Sequence, residues 1–151
     1  MVDKNALGAT DEPFTMDIER GKIREFARAT MSHSPDYLRG AMPPIPPTFL
    51  TSVSFWSPPG EGVFSKLKMD LRRLLHGGQE YRFFGAPPKA GTQLTVQTRV
   101  AEIYEKEGKR GGTMTFVVTV TEFKDERGKV VAEARSTAIE TGKPATDRGS
   151  Q

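Results

Sequence analysis

The sequence predicts a single α+β domain in which an antiparallel sheet wraps around one buried helix. The chain has 151 residues, a length typical of one domain. Its first half has a helical pattern and proline-rich loops, whereas its second half alternates between apolar and polar residues, as half-buried strands do. One helix is apolar or small on nearly every side, which is typical of a helix inside a structure. A sheet packed on such a helix forms two stable layers around one core.

The composition excludes several functional classes. Lys and Arg (22) exceed Asp and Glu (19) by only three and are interleaved with them, so we expect a solvated mixed surface and no nucleic-acid partner. The absence of cysteine excludes disulfide scaffolds and cysteine nucleophiles, and with only two histidines we expect no transition-metal site. No glycine-rich nucleotide motif occurs, so no cofactor is expected. With neither a signal peptide nor an apolar run of about 18 residues, we expect a cytoplasmic protein without membrane contact.

The N-terminal elements are a strand and a helix. Residues 1–12 lack an apolar pattern and predict a flexible N-terminus. Phe14 and Met16 favour a short strand that ends at Asp17, a residue type that often caps helix N-termini. In the helix that follows, Ile23 lies on the face that should be buried.

A long loop separates this helix from the next one. The first helix should end near Ser32, because Pro35 disfavours helical geometry in the residue before it. Residues 33–47, HSPDYLRGAMPPIPP, are rich in proline and glycine and predict a loop. Residues 48–56, TFLTSVSFW, form the predicted buried helix, with Pro46 and Pro47 suited to its first positions.

The C-terminal half predicts a four-strand antiparallel meander. Its strands cover approximately residues 74–84, 94–100, 113–121 and 130–139, and short glycine-containing loops at 105–112 and 124–129 indicate hairpins. The alternation slips near Ala101, which predicts a β-bulge. Residues 142–151 have no apolar pattern and predict a flexible tail.

The last strand has one face of small residues, which permits close packing of either the buried helix or a ligand chain, and the helix is the preferred occupant. These residues are Ala132, Ala134, Ser136 and Ala138.

Four segments in this order resemble the MaoC-type hot-dog proteins, and more narrowly their N-terminal or small-subunit dehydratase domains. The segments are FARATMSHSPDYL, PPIPPTF, HGGQEYRFFGAPPKAGTQLTV and VVAEARSTAIET, and the resemblance covers residues 13–141. It implies a single hot-dog domain whose central helix is residues 48–56. It also implies (R)-specific hydration of a trans-2-enoyl thioester, or dehydration of a 3-hydroxyacyl thioester, on CoA or acyl carrier protein. Hot-dog domains of this family pair side by side, with the active site between them.

The family's catalytic dyad lies in the pattern A-T-G-D-x-N-P-L/I-H after the first helix. When Pro35 is matched to the motif proline, the Asp position falls on Ser32, the Asn position on Ser34 and the His position on Tyr37. Neither serine nor tyrosine, whose ordinary pKa is about 10, replaces a carboxylate–imidazole pair near neutral pH. The resemblance therefore implies a non-catalytic half, inactive alone, in a homodimer or in a heterodimer with a dyad-bearing subunit.

Two alternatives remain open. His33 and Asp36 have the right chemical types for an active homodimer with a displaced site, to which Tyr37 would be the third candidate, although both are also typical surface residues of a loop. The other alternative is a hot-dog protein that binds acyl-CoA without any chemistry.

The resemblance also suggests substrate-binding positions. The positions expected to bind substrate at the start of the central helix are Pro47, Thr48 and Phe49. In this family a backbone N–H, commonly from that helix, polarises the thioester carbonyl. His76 and Gly77 begin the HGGQEYRFF strand, where they line a pocket mouth or form an ordinary turn.

The segment KLKMDLRRLLH at 66–76 reads by periodicity as a helix with a basic edge, whereas the resemblance favours a loop that runs into a strand. In either form its four cations are expected to be solvated, and they are suited to attract the phosphates of CoA or an acidic carrier protein.

Overall fold

The computed structural model describes residues 1–59, 62–108 and 112–142. Within these ranges one sheet contains β1 (Phe14–Asp17), β2 (Leu74–Phe83), β3 (Gln93–Glu107), β4 (Thr113–Lys124) and β5 (Val130–Glu140). The α-helices are α1 (Arg20–Ala29), α2 (Pro35–Arg39) and α3 (Val63–Leu67), and 3-10 helices cover Lys4–Ala6, Phe49–Phe55 and Leu71–Arg73. We call Phe49–Phe55 the central helix. The predicted α+β hot-dog arrangement is confirmed.

The strand order corrects the predicted topology. The sheet runs β1-β3-β4-β5-β2 with antiparallel neighbours, so β3, β4 and β5 form a meander but β2 pairs with β5 at the far edge. The prediction of a four-strand meander was therefore wrong, because alternation identifies strands without identifying their neighbours. The predicted bulge at Ala101 is confirmed by a register shift between Val100 and Glu102.

The first helix is confirmed, but its cap is not. Ile23 is buried in α1 as predicted. The N-cap is Glu19, because Asp17 is the last residue of β1, where its carboxylate accepts a hydrogen bond from Gln93 Nε2 at 2.9 Å. The helix α2 interrupts the predicted loop, and Pro35 begins it at a position where a missing N–H costs nothing.

The central helix differs from its prediction in both type and burial. It is a 3-10 helix that begins at Phe49, with Thr48 as its N-cap and both prolines before it. Phe49 is fully buried, whereas Phe55 is 77% exposed, so burial on nearly every side was a wrong expectation. On the buried side, the Ser52 hydroxyl donates a hydrogen bond to the Phe49 carbonyl at 2.7 Å.

The main core lies between the central helix, α1 and one face of the sheet. Phe49 contacts Phe26 edge-to-face, with 5.4 Å between the ring centres. The other buried members come from α1, the central helix, four strands and the loops beside them, namely Met16, Ile18, Ile23, Ile45, Leu50, Ala90, Leu94, Val96, Phe123, Ala132 and Ala134.

The N-terminal segment is packed against the rest of the domain. Residues 1–12, expected to be flexible, pack on α3 through Val2 and Ala6, which are 5% and 6% exposed, and Thr10 forms a β-bridge with Arg99. The predicted tail lies outside the described residues except for Gly142, as do positions 109–111 of the first predicted hairpin loop.

The basic segment at 66–76 is not one helix. The helix α3 ends at Leu67, Lys68 has a φ of 50°, and β2 begins at Leu74, so the alternative of a loop running into a strand is the closer one. Buried Glu140 at the end of β5 anchors the segment. Its carboxylate accepts hydrogen bonds from the Arg73 guanidinium at 2.7 Å and the Asp70 backbone N–H at 2.9 Å.

Candidate functional site

A cleft with a volume of about 420 Å³ lies between the central helix and the sheet. Leu50 and Val53 of the central helix form part of its roof, and Phe64 of α3 lies at its edge. The floor comes from β2, β3, β4 and β5, which contribute Gln79, Tyr81, Thr98, Thr119, Thr121, Ala134 and Ser136.

Only part of this cleft was predictable from the sequence. The small face of β5 indicated close packing of a helix or a ligand chain, and the structure contains room for both. Ala132 belongs to the main core beside the central helix, whereas Ala134 and Ser136 also line the cleft. The threonines opposite them on β3 and β4 looked like ordinary strand residues, and no motif marked them.

The floor of the cleft is rich in hydroxyl groups. Thr98 and Thr121 face each other across β3 and β4, and their hydroxyl oxygens are 2.9 Å apart. Thr119 pairs with Ser136 across β4 and β5. The side chains of these last two residues make no hydrogen bond to any residue that the structure describes.

The carboxylate at the cleft has a structural task. Asp11 lines the cleft and accepts a hydrogen bond from the backbone N–H of Val63, the first residue of α3. No histidine lines the cleft. Among residues 1–59, 62–108 and 112–142, no group of three His, Asp or Glu side chains is arranged to hold a metal ion.

The loop matched to the family's catalytic motif begins with a tight turn after α1. Met31 has a φ of 56°, and the Ser32 N–H donates to the Ala27 carbonyl at 2.8 Å. The Ser32 hydroxyl accepts from the Ser34 N–H at 3.4 Å, and Tyr37 of α2 packs half-buried against the main core. All three side chains lie outside the lining of the cleft.

His33 and Asp36, the candidates for a displaced site, are both exposed. They form neither a hydrogen bond nor an ion pair with each other, and neither lines the cleft. The structure places Asp36 in the first turn of α2, where a negative charge is favourable.

The predicted substrate-binding positions at the central helix have separate surroundings. Phe49 is fully buried in the main core, and its N–H donates to the Pro46 carbonyl at 3.0 Å. Pro47 and Thr48 are exposed. Of these three positions, Thr48 is the one whose backbone N–H has no backbone acceptor within the described part of the chain.

His76 and Gly77 lie at an irregularity in β2, where the register with β5 shifts between His76 and Gly78. Both residues are exposed and outside the cleft lining. A Cβ atom on Gly77 would lie 2.7 Å from Ile139 Cδ1, so the glycine leaves room for the Ile139 side chain.

Comparison with protein families identifies the chain. The model of the FAS1-like dehydratase domain region matches residues 5–134, which is most of the sequence. The chain belongs to this dehydratase family. The MaoC-like resemblance is therefore confirmed at the level of the family.

Relatives of this dehydratase-family chain include several UPF0336 proteins. The protein of Streptomyces griseus is 30% identical over 143 residues, covering 88% of this chain and 91% of the relative. The protein of Saccharopolyspora erythraea is 29% identical over 150 residues, covering 93% and 92%.

Solved structures share the fold at low identity. The HadBC (3R-hydroxyacyl-ACP dehydratase) complex of Mycobacterium tuberculosis has a chain with a TM-score of 0.70 and 22% identity, covering 89% of this chain and 96% of that one. The (R)-hydratase from A. caviae has a TM-score of 0.58 and 14% identity, covering 87% and 94%.

In chemical terms, the cleft of this dehydratase-family chain offers mainly binding groups, and its carboxylate, Asp11, accepts a hydrogen bond from the Val63 N–H. The cleft floor carries hydroxyls and an amide, which orient a ligand but are poor proton acceptors near neutral pH. In the described residues no helix is both long and apolar enough to cross a membrane.

Proposed function

We propose that this chain is the non-catalytic half of an (R)-specific enoyl-thioester hydratase or 3-hydroxyacyl-thioester dehydratase, paired with a hot-dog subunit that carries the Asp–His dyad. The substrate is a thioester of CoA or acyl carrier protein. The observation that carries the proposal is the combination of the dehydratase fold with Ser32, Ser34 and Tyr37 at the motif positions.

The chemistry of the reaction supports this assignment. Hydration needs a base that activates water for attack at C3 and an acid that delivers a proton to C2, held within hydrogen-bonding reach of the substrate. The exposed His33 and Asp36 do not interact with each other and lie outside the cleft lining. These observations favour the non-catalytic role over a displaced site at His33 and Asp36.

Pairing with a second hot-dog is supported by two observations. The similar structures include complexes of two different subunits, HadBC and ChsH1–ChsH2 of Mycobacterium tuberculosis, each with a TM-score of 0.70. In this chain, the outer edge of β2 has no strand beside it within the described residues. A strand edge of this length is normally covered, and a second sheet would continue it.

A turnover assay tests the proposal. The chain is purified alone, and also after co-expression with a hot-dog chain from the same genome whose sequence keeps the Asp–His motif. Hydration of but-2-enoyl-CoA is followed by the loss of absorbance of the conjugated double bond. We expect no turnover by the chain alone and turnover by the co-purified pair.

Two variants separate the proposal from its alternatives. In the active pair, His33→Ala and Asp36→Ala should each leave the rate within about two-fold, since exposed residues away from the site contribute little. Turnover by the chain alone that either variant abolishes would establish a displaced site instead. Binding of but-2-enoyl-CoA without turnover by the pair would leave a binding protein.

A further inference from the structure

The cleft floor contains a hydroxyl group that has no partner among the described residues. Thr119 lies in the middle of β4, is only 5% exposed and lines the cleft. Its hydroxyl makes no hydrogen bond to a described residue, and the same is true of its cross-strand neighbour Ser136. Ser136 is half-buried and Thr119 lines the cleft, so both hydroxyls are open to whatever occupies it. Hydroxyl groups that face a cleft without a protein partner take one from the occupant, which is either water or a ligand.

The opposite wall of the cleft is mainly apolar, although Thr51 and Ser54 of the central helix also line the cleft. Leu50 and Val53 lie above the floor, and Phe64 extends the apolar surface at the edge. A plain alkyl chain fits this wall, but over the floor it would displace water without replacing the hydrogen bonds that water makes. A chain that is apolar on one side and carries an oxygen on the other fits both surfaces.

We propose that this cleft binds the acyl chain of a thioester that bears a hydroxyl or keto oxygen beyond C3, with that oxygen hydrogen-bonded to Thr119 and Ser136. The volume of about 420 Å³ lies within the range of about 300–1,000 Å³ typical of small-molecule sites. The inference deepens the proposed function and rests on it, because that function supplies the thioester. It adds the class of acyl chain that the subunit selects.

The test compares acyl-pantetheine thioesters of equal length. Octanoyl-, 5-hydroxyoctanoyl- and 7-hydroxyoctanoyl-pantetheine, and pantetheine alone, are titrated into the full chain by calorimetry. The only tryptophan, Trp56, directly precedes Ser57 of the cleft lining and gives a second, fluorescence readout. We expect at least one hydroxylated thioester to bind about five- to ten-fold more tightly than octanoyl-pantetheine, the gain of one or two neutral hydrogen bonds.

Variants assign this preference to the floor. Thr119→Val removes the hydroxyl and keeps the shape of the side chain, and Ser136→Ala is the second test if the first variant folds poorly. In each, the preference should fall to about two-fold or less while octanoyl-pantetheine binds at least as tightly as before. Thr95→Val is the matched control, because Thr95 is an exposed residue of β3 outside the cleft lining and should keep the full preference.

Several results would overturn the assignment. These are equal or tighter binding of octanoyl-pantetheine, binding accounted for by pantetheine alone, an unchanged preference in both floor variants, or no binding of any thioester. The turnover assay is read separately. A chain that hydrates but-2-enoyl-CoA by itself contradicts the proposed subunit role while the ratio of affinities still tests the cleft. Conversely, if hydroxylated thioesters bind no more tightly than octanoyl-pantetheine, the proposed subunit role is unaffected.

Discussion

At the scale of single residues, the carboxylate of Asp70 stabilises the segment before β2 through hydrogen bonds. Its oxygens accept hydrogen bonds from the Arg72 side chain at 2.9 and 3.0 Å and from the Arg72 backbone N–H at 3.0 Å. These bonds, led by the one from the Arg72 side chain, lower the pKa of Asp70 from 3.8 to about 2. The charged form of Asp70 is therefore favoured by folding.

This shift predicts a pH-dependent effect of Asp70→Asn. A carboxylate whose pKa is lowered by folding contributes stability that is present above pH 3.8 and is lost as the pH falls through about 2. We expect the variant to unfold at lower urea than the wild type at pH 7, with the gap closing between pH 4 and pH 2. Glu126→Gln, at an exposed turn, is the control. A gap that stays constant over this range would contradict the argument.

Two glycines predict opposite effects of the same substitution. A Cβ on Gly40 would lie 2.4 Å from the Asp36 carbonyl oxygen, so Gly40→Ala must displace backbone at the end of α2. Gly21 is exposed in α1 with no atom within 4 Å of a Cβ, so Gly21→Ala should stabilise the helix. In urea denaturation we expect a loss of about 1–3 kcal/mol for the first. For the second we expect a gain of about 0.5–1 kcal/mol.

At the scale of elements, the central helix divides its aromatic residues between two environments. Phe49 is fully buried against Phe26, so Phe49→Ala should cost about 3–5 kcal/mol in unfolding free energy or prevent folding. Phe55 is 77% exposed beneath the Lys22 ammonium, so Phe55→Ala should cost about 1 kcal/mol or less. Urea denaturation of the purified chain measures both. Equal losses of unfolding free energy in the two variants would contradict the difference in burial between Phe49 and Phe55.

The strands and helices together show what a sequence pattern predicts well and where it fails. Period-two alternation located β3, β4 and β5 and even the bulge at Ala101, because side chains of a strand point to alternate faces. The central helix was placed correctly but its exposed side was not, since TFLTSVSFW carries no charge to mark the solvent face. The proline and glycine content of residues 33–47 predicted a loop, so the short helix α2, which begins at Pro35, was missed.

The candidate site was less predictable than the fold. The motif comparison could locate Ser32, Ser34 and Tyr37 because a proline anchors the alignment. The cleft could not be found in this way, since it is assembled from residues far apart in sequence, such as Gln79 and Thr119, whose proximity depends on the strand order. A threonine in a strand has the same local pattern whether it faces a ligand, water or the core.

At the scale of the whole molecule, the two edges of the sheet are unequal. The edge at β1 is a strand of four residues, and the N-terminal segment continues the cover of β3 through the bridge between Thr10 and Arg99. The edge at β2 is ten residues long, and within the described residues no segment pairs with its outer side. Long open edges invite pairing with another chain, so β2 is the expected meeting point with a second hot-dog.

Two proline substitutions in β2 test this expectation. Along an antiparallel strand, successive N–H groups alternate between the neighbouring strand and the open edge, so Glu80→Pro and Tyr81→Pro remove N–H groups that point in opposite directions. Light scattering measures assembly, and circular dichroism in urea measures folding.

We expect one variant to lose folding stability because it breaks a hydrogen bond to β5. The other should keep a folded subunit but dissociate it from its partner, since the removed N–H served only the outer edge. If both proline variants leave assembly intact, then β2 is not the interface, and the pairing on which the proposed function depends would need another surface. The same conclusion follows if the wild-type chain is a monomer at micromolar concentration even in the presence of a dyad-bearing partner.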